Sequence, residues 1–402
     1  MFWFAVFLGA VAVLGIVQAV FGVQAVWRFR ATQRLVLRQD APVSLPMVSV
    51  LKPLYGDEPL LEMALASFCQ QDYPQYQLVF GVQNPADPAL HVVRRLQMRF
   101  PALDIAVVVD ETLHGANRKI SNLMNMLPAA RHGILVVADA DVHVATDYLR
   151  RVVAALDEVG TGLVTTLYTG LPVAGGLAPL LGTSQISHVF LPGALMARGL
   201  GRQDCLGATM ALTRDTLVAI GGFAAIADQL ADDAMLGRLV SDRGLAVRLA
   251  RTVPATTVSD TSFAALFQHE LRWARTIHSI TPVGFALSAV QYPLFWAMLA
   301  TVVSGGDLWF WALFITTWGV RAGTAWAIDR ALSVGRSVPG RPVPAWILPL
   351  RDLISVMVML ASYHNDEVLW RGQTMRARRL GLRSAALYPA ADRPAAQRIN
   401  AI

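Results

Sequence analysis

The hydrophobic pattern divides the chain into three parts. Residues Met1 to Trp27 are apolar and carry no charged side chain. About 20 such residues cross a bilayer as a helix. From about Pro46 to Val258 short apolar runs alternate with amphipathic stretches. Val48 to Leu51, Gln77 to Val82, Ile105 to Val109 and Ile134 to Ala138 read as strands. Glu58 to Gln71, Pro88 to Phe100 and Ile120 to Ala130 read as helices between them. Strand and helix in alternation predict an α/β domain with a mostly parallel sheet, whose ligands bind at the carboxyl ends of the strands. After Arg275 the apolar runs return at Pro282 to Val303, Leu308 to Ile328 and Pro344 to Asn365.

Charge refines this outline. Arg28, Arg30, Arg34 and Arg38 follow the first apolar segment. A cleaved signal peptide usually has a basic start, and this segment has none. The positive-inside rule places the N-terminus outside and the following domain in the cytoplasm. The expected division is a transmembrane helix at 1–27, a cytoplasmic domain at 46–258 and an amphipathic interface helix at 259–281. Two transmembrane helices follow at 282–328. The stretch 344–365 holds Arg351 and Asp352 at its middle, and a mid-bilayer charge costs roughly 2.5–3.5 kcal/mol. It is therefore expected to be re-entrant or interfacial. That leaves the basic tail, 366–402, in the cytoplasm, with Arg371, Arg376, Arg378, Arg379 and Arg383.

Composition agrees with a multi-pass membrane protein. Hydrophobic residues make up 54% of the 402 and charged residues 15%. The net charge of +6 comes with no compact basic cluster interleaved with aromatics, so no nucleic-acid partner is expected; the basic residues flank the apolar segments and meet anionic lipid. Cys69 and Cys205 form no CxxC pair, no metal spacing and no disulfide scaffold.

The candidate chemistry lies at strand ends. Leu135 to Ala138 runs into Asp139-Ala140-Asp141, and two carboxylates one residue apart can hold a hard divalent cation. Two solvated loop aspartates are the plainer alternative. Asp87 follows another strand and can accept from a base or ribose; it is also a good helix cap before Pro88. Asp232 and Asp233 are adjacent, and like charges side by side raise one pKa, which suits a general base. An exposed helix start explains the pair equally well. Arg272 and Arg275 share a helix face, and a guanidinium binds diphosphate oxygens bidentately. Trp273 between them suits a sugar face or a membrane interface. The run Gly115-Ala116-Asn117-Arg118-Lys119 can offer Lys119 and backbone donors to a phosphate, and Lys52 after the first strand is similar.

In order along residues 48 to 285, these pieces resemble the inverting GT-A glycosyltransferases, and more narrowly the ceramide glucosyltransferase family, family 21. The stretches that carry the resemblance are VSVLKPLYGDEPLLEMALASFCQQDYPQYQLVFGVQNPADPA, GANRKISNLMNMLPAARHGILVVADADV, CLGATMALTRDTLVAIGGF, QLADDAMLGRLVSDRGL and HELRWARTI. WRGQTMR near the C-terminus is also similar to the family. The phrases HGANRK, LADD and HELRWARTI resemble most the bacterial hopanoid-biosynthesis branch, which adds N-acetylglucosamine to bacteriohopanetetrol.

The resemblance implies a GT-A (Rossmann-like) domain with membrane helices, a UDP-sugar donor and a lipid acceptor. It also implies a divalent cation, Mg²⁺ or Mn²⁺, and a multi-pass place in the bacterial inner membrane. It implies that Asp87 contacts the nucleotide, that Asp139 and Asp141 hold the metal, and that Asp233 is the base. Arg272 and Trp273 match the end of the (Gln/Arg)-x-x-Arg-Trp motif. His269 stands at its first position, a departure that weakens a polymerase reading. Ala234 stands where the family often has an aromatic. The implied reaction is a single inverting displacement that yields a β-glycoside. Ceramide glucosyltransfer from UDP-glucose is the alternative within the class; a non-catalytic scaffold or transporter subunit is the alternative outside it.

Overall fold

A computed structural model describes residues 1–36, 45–173, 176–333, 342–365, 367–370 and 373–376. Most of the expected basic tail, including Arg371, Arg378, Arg379 and Arg383, lies outside the described residues, as does Arg38.

The strands are β1 (Val48–Pro53), β2 (Tyr76–Val82), β3 (Asp104–Val109), β4 (Ile134–Ala138), β5 (Val142–His143), β6 (Thr161–Thr165), β7 (Thr169–Pro172), β8 (Thr209–Thr213), β9 (Ala246–Leu249) and β10 (Ala255–Val258). Seven of them form one sheet in the order β3-β2-β1-β4-β8-β6-β9. The first four are parallel, as the alternation predicts. Beyond β4 the sheet is mixed: β8 runs antiparallel to β4 and β6, and β9 pairs parallel with β6. A second sheet, β5-β10-β7, sits beyond the end of β4.

Successive side chains of a strand point to opposite faces, and here both faces are buried. Val50, Leu78, Phe80 and Val136 pack with Phe68, Val93 and Tyr148 on one side. Leu51, Val79, Val137 and Met210 pack with Ile120, Leu123 and Leu236 on the other. Covering both faces takes helices on each, which explains why the strands read as near-continuous apolar runs.

The first helix, Phe2–Val36, is 35 residues long and carries Arg28 and Arg30 without a break. It runs past the uncharged stretch because arginine is a good helix former. The apolar run Pro282–Val303 is not one helix: Pro282–Gln291 and Pro293–Val303 meet at 68°. Pro293 has no N–H and fixes its own φ, so the backbone turns at Tyr292. Leu308–Ser333 is a continuous helix of 26 residues. The helices long and apolar enough to cross a membrane, by length and composition, are Phe2–Ala31 and Ala345–Ser362, with the bent pair as a third if it counts as one span.

Arg351 and Asp352, expected to keep 344–365 out of the bilayer, are fully buried and paired. Arg351 donates to both carboxylate oxygens of Glu270 at 2.7 Å. Asp352 accepts from Arg321 at 3.1 Å and from the Leu294 N–H at 3.0 Å. The cost argument holds for a lone charge facing lipid; these charges face protein partners. Parts of WRGQTMR lie in two strands that pair antiparallel, β11 (Glu367–Trp370) and β12 (Gln373–Arg376).

Candidate active site

The site lies at the carboxyl ends of β1, β2 and β4. Because β1 and β4 are parallel neighbours, with Leu51 beside Val137, Lys52 comes level with the end of β4. Lys52 is fully buried; its Nζ donates to the Asp139 carbonyl at 2.8 Å and lies 3.7 Å over the Phe68 ring. Burial lowers its pKa to about 7 against the pull of Asp141 and Asp139. Lys52 therefore supports the aspartate loop from below.

Lys119 joins the acidic sites. Asn117 caps the helix Arg118–Met126 by accepting from the Ile120 N–H, and Lys119 sits in its first turn. Its Nζ lies 2.7 Å from Asp139 Oδ1 and 3.3 Å from Asp232 Oδ2. Burial works against this charge, but Asp139 and Asp232 outweigh it and hold the ammonium well above its usual pKa. The loop before it is not left open to phosphate as the sequence suggested. The Ala116 N–H donates to Asp228 at 2.8 Å and the Asn117 N–H to the Ala227 carbonyl at 2.8 Å. A Cβ on Gly115 would lie 2.6 Å from the Ala227 carbonyl oxygen, so glycine permits the approach. These donors tie the loop to the segment leading into Asp232 and Asp233.

Asp233 lies in the first turn of the helix Asp232–Ser241 and packs over Gly207, where a Cβ would come within 3.1 Å of its carboxylate. Burial, then the neighbouring Asp232 charge, push its pKa up to about 6, opposed by Lys119. The pair is the expected like-charge arrangement, with Asp232 buried and Asp233 half-buried. Asp141 is held by β10: Thr256 Oγ1 donates to its carboxylate at 2.5 Å, and the Thr257 N–H to its carbonyl at 3.1 Å. Burial and then Asp139 raise its pKa.

Asp87 fills one of the two roles the sequence allowed, at the start of the helix Ala89–Arg99. Its carboxylate accepts from the Ala89 N–H at 2.9 Å, and both oxygens accept from the Gly56 N–H at 3.0 Å. It ties the loop after β2 to the loop after β1, where Gly56 has φ +75°. Ser262 caps the helix Phe263–Ile280, which carries Arg272 and Trp273 half-buried. His269 Nδ1 lies 3.0 Å from Asp260, and its ring meets Trp273 edge-on at 4.5 Å. The departure at this position thus braces Trp273.

Sequence reasoning missed Tyr168, Thr256 and Gln83. Burial, then the charges of Asp233, Asp139 and Asp141, push the Tyr168 hydroxyl pKa well up, and Arg272 opposes them. Gln83, just past β2, has a buried Nε2 with no hydrogen-bond partner among the described residues. Only the pairing of β10 with β5, which sets Thr256 opposite Val142, brings the threonine to Asp141.

A profile of the family described as Glycosyl transferase family 21 matches residues 7–382. The chain belongs to this family. A ceramide glucosyltransferase from Komagataella phaffii is 27% identical over 40% of this chain and 35% of its own length. Ceramide glucosyltransferase 3 of Caenorhabditis elegans is 25% identical over 60% of this chain and 52% of its own. A beta-monoglucosyldiacylglycerol synthase from Trichormus variabilis is 27% identical over 39% and 33%. The family 21 chain thus spans about a third to a half of these curated relatives. Among solved structures, a mannosyltransferase from Pyrobaculum calidifontis in complex with GDP-Man and Mn²⁺ has a TM-score of 0.48 at 18% identity, over 87% of this chain and 99% of that one.

Proposed function

We propose that this family 21 chain is an inverting glycosyltransferase that moves N-acetylglucosamine from UDP-N-acetylglucosamine to a hydroxyl of bacteriohopanetetrol. The observation that carries the transferase reading is Asp233. It is a half-buried carboxylate with a pKa of about 6, beside Asp139 and Asp232, which Lys119 bridges. A base in that range is ionised at neutral pH and basic enough to take a proton from an attacking hydroxyl. In this reading the acceptor oxygen attacks the anomeric carbon as Asp233 takes its proton. The bond to UDP breaks on the opposite face, and the product is a β-glycoside. Arg272 neutralises charge on the leaving diphosphate. In the same reading Gln83 and Asp87, past β2, meet the nucleoside.

The donor set at Asp139 and Asp141 fits a divalent cation, Mg²⁺ or Mn²⁺. Both ligands are hard oxygens, and burial and then Asp139 raise the pKa of Asp141, a penalty that a cation would relieve. Among the described residues no group of three or more His, Cys, Asp or Glu gathers to hold a metal, so the diphosphate would complete the shell. When bound, the ion would stabilise charge on the departing UDP. The chain's own residues orient the loop: Lys52 and Thr256 hold it, and Lys119 positions Asp139.

The proposed setting is the bacterial inner membrane, with the catalytic domain and the tail in the cytoplasm and the N-terminus outside. The helix with Arg272 and Trp273 then lies at the junction of domain and membrane helices, where a lipid hydroxyl can meet a soluble donor. The hopanoid choice rests on the resemblance of HGANRK, LADD and HELRWARTI. The names of the curated relatives favour a second reading, glucose transfer to ceramide. Mass spectrometry of products from purified protein, offered several UDP-sugars with bacteriohopanetetrol or ceramide, separates the two. No glycosylated lipid and no UDP release would sink the transferase reading.

A further inference from the structure

His269 and Trp273 are four residues apart on the helix Phe263–Ile280, so their side chains share a face. The two rings meet edge-on, with centroids 4.5 Å apart and planes at 63°. The imidazole is held in turn: its Nδ1 lies 3.0 Å from Asp260 Oδ2. A carboxylate only accepts, so Nδ1 carries the proton of this bond. The Asp260 side chain is 13% exposed, which leaves the bond less open to water than a surface pair.

The position of Asp260 ties this contact to the aspartate loop. It lies just past the end of β10, the strand whose Thr256 hydroxyl holds Asp141. That strand is paired on both sides, with β5 and with β7. The indole is therefore tilted from the same fixed strand that fixes the Asp141 carboxylate. The helix itself is secured by other groups. Glu270 and Arg351 set its rotation at 2.7 Å, and Ser262 caps its start by accepting from the Ala265 N–H at 3.1 Å. With rotation and start secured, what Asp260 adds is the orientation of one ring on the next.

We propose that Asp260 is a positioning residue for the transfer: acting through His269, it sets the tilt of the Trp273 indole against the donor sugar. The inference rests on the transferase reading above. An indole offers a flat apolar face to the C–H groups of a pyranose. A ring free to rock lets the anomeric carbon drift from the line between the attacking oxygen and the leaving diphosphate. Such a displacement costs turnover rather than donor binding, because Arg272 and the aspartates still hold the diphosphate. Glutamine or arginine at position 269 has no ring to set beside the indole. The series of carboxylate, imidazole and indole thus follows from the histidine that stands there in this chain.

The test uses the full chain in nanodiscs, labelled with 5-fluorotryptophan. Trp273→Phe identifies the Trp273 fluorine resonance by its loss. Asp260→Ala removes the acceptor, Asp260→Asn keeps an acceptor oxygen, and His269→Leu removes the ring between. Thermal melting checks folding, and kinetics use the donor and lipid that the product assay selects. We expect Asp260→Ala to shift or broaden the Trp273 resonance and to lower kcat by about tenfold or more. The UDP-sugar KM and the melting temperature should stay unchanged. Asp260→Asn should recover part of both losses, and Asp260→Ala should add nothing to His269→Leu. An unmoved Trp273 resonance in both Asp260→Ala and His269→Leu would overturn the inference. So would unchanged kcat in Asp260→Ala, a fall in melting temperature that accounts for the loss, or additive losses in the double variant. If the unmutated chain glycosylates no lipid, the transferase reading falls, and the fluorine resonance still decides whether Asp260 holds the indole.

Discussion

At the residue scale, Asp233 sets the pH behaviour. A base works only when ionised, and its carboxyl has a pKa of about 6. We therefore expect kcat to hold at neutral pH and to fall as pH drops through about 6. Lys119→Met removes the cation that opposes this rise, so the acid limb should move to higher pH. A limb that stays in place would separate Lys119 from the base. Asp233→Asn should lower turnover by about 10²–10⁴-fold with UDP binding retained; near-normal turnover would move the role to Asp232. At the metal site, excess chelator should abolish activity, and Asp141→Ala should weaken the response to Mg²⁺ or Mn²⁺. Full activity in chelator would leave Arg272 and Lys119 to neutralise the diphosphate.

At the element scale, the Glu270–Arg351 pair locks the helix Phe263–Ile280 to the helix Leu348–Ser362. The fork is bidentate at 2.7 Å, with side chains 7% and 0% exposed. Arg351 also reaches Leu181 and Ser355, so one guanidinium joins three helical segments. Removing one member of such a pair strands a buried charge and costs about 3–5 kcal/mol, whereas replacing both with apolar residues is often near neutral. Arg351→Met should therefore lower the melting temperature sharply, and Glu270→Met with Arg351→Met should recover most of the loss. Absence of recovery would mean that packing, not charge, holds the helices. The same helix carries Arg272 and Trp273, so turnover should recover less fully than stability. A paired guanidinium sets the helix rotation more narrowly than two apolar side chains do.

At the scale of the whole molecule, the arrangement that matters is the order of crossings. The proposed topology places the domain and tail on one side, which needs an even number of crossings between them. The bend of 68° at Tyr292 and the buried pairing of Arg351 and Asp352 make the count a matter for labelling rather than hydropathy. Cysteines introduced one at a time near Gly305 and in the tail should report it. We expect the tail cysteine to react only with a permeant thiol reagent. Labelling of that site from the periplasmic side by an impermeant reagent would overturn the topology.

The sequence by itself determined the first half of the sheet and where three of its candidate acidic positions lie. The strands at 48, 77, 105 and 134 each alternate with a helix, and both patterns are local, set by side-chain period and helix capping. Asp87 and Asp139 follow strands, and an acidic residue after a buried strand lies at a ligand edge wherever the sheet is parallel. The Asp232–Asp233 repulsion was legible because the two residues are neighbours in sequence. Tertiary structure alone decided the rest. The turn to antiparallel pairing after β4 depends on which edge accepts β8, a choice made by packing on both faces. Thr256 reaches Asp141 across 115 positions, and Arg351 reaches Glu270 across 81. No periodicity encodes such pairings, because a side chain's partner depends on how distant segments fold together. For the same reason hydropathy counted Arg351 and Asp352 as a penalty: it sees the charge but not the opposite charge that folding brings beside it.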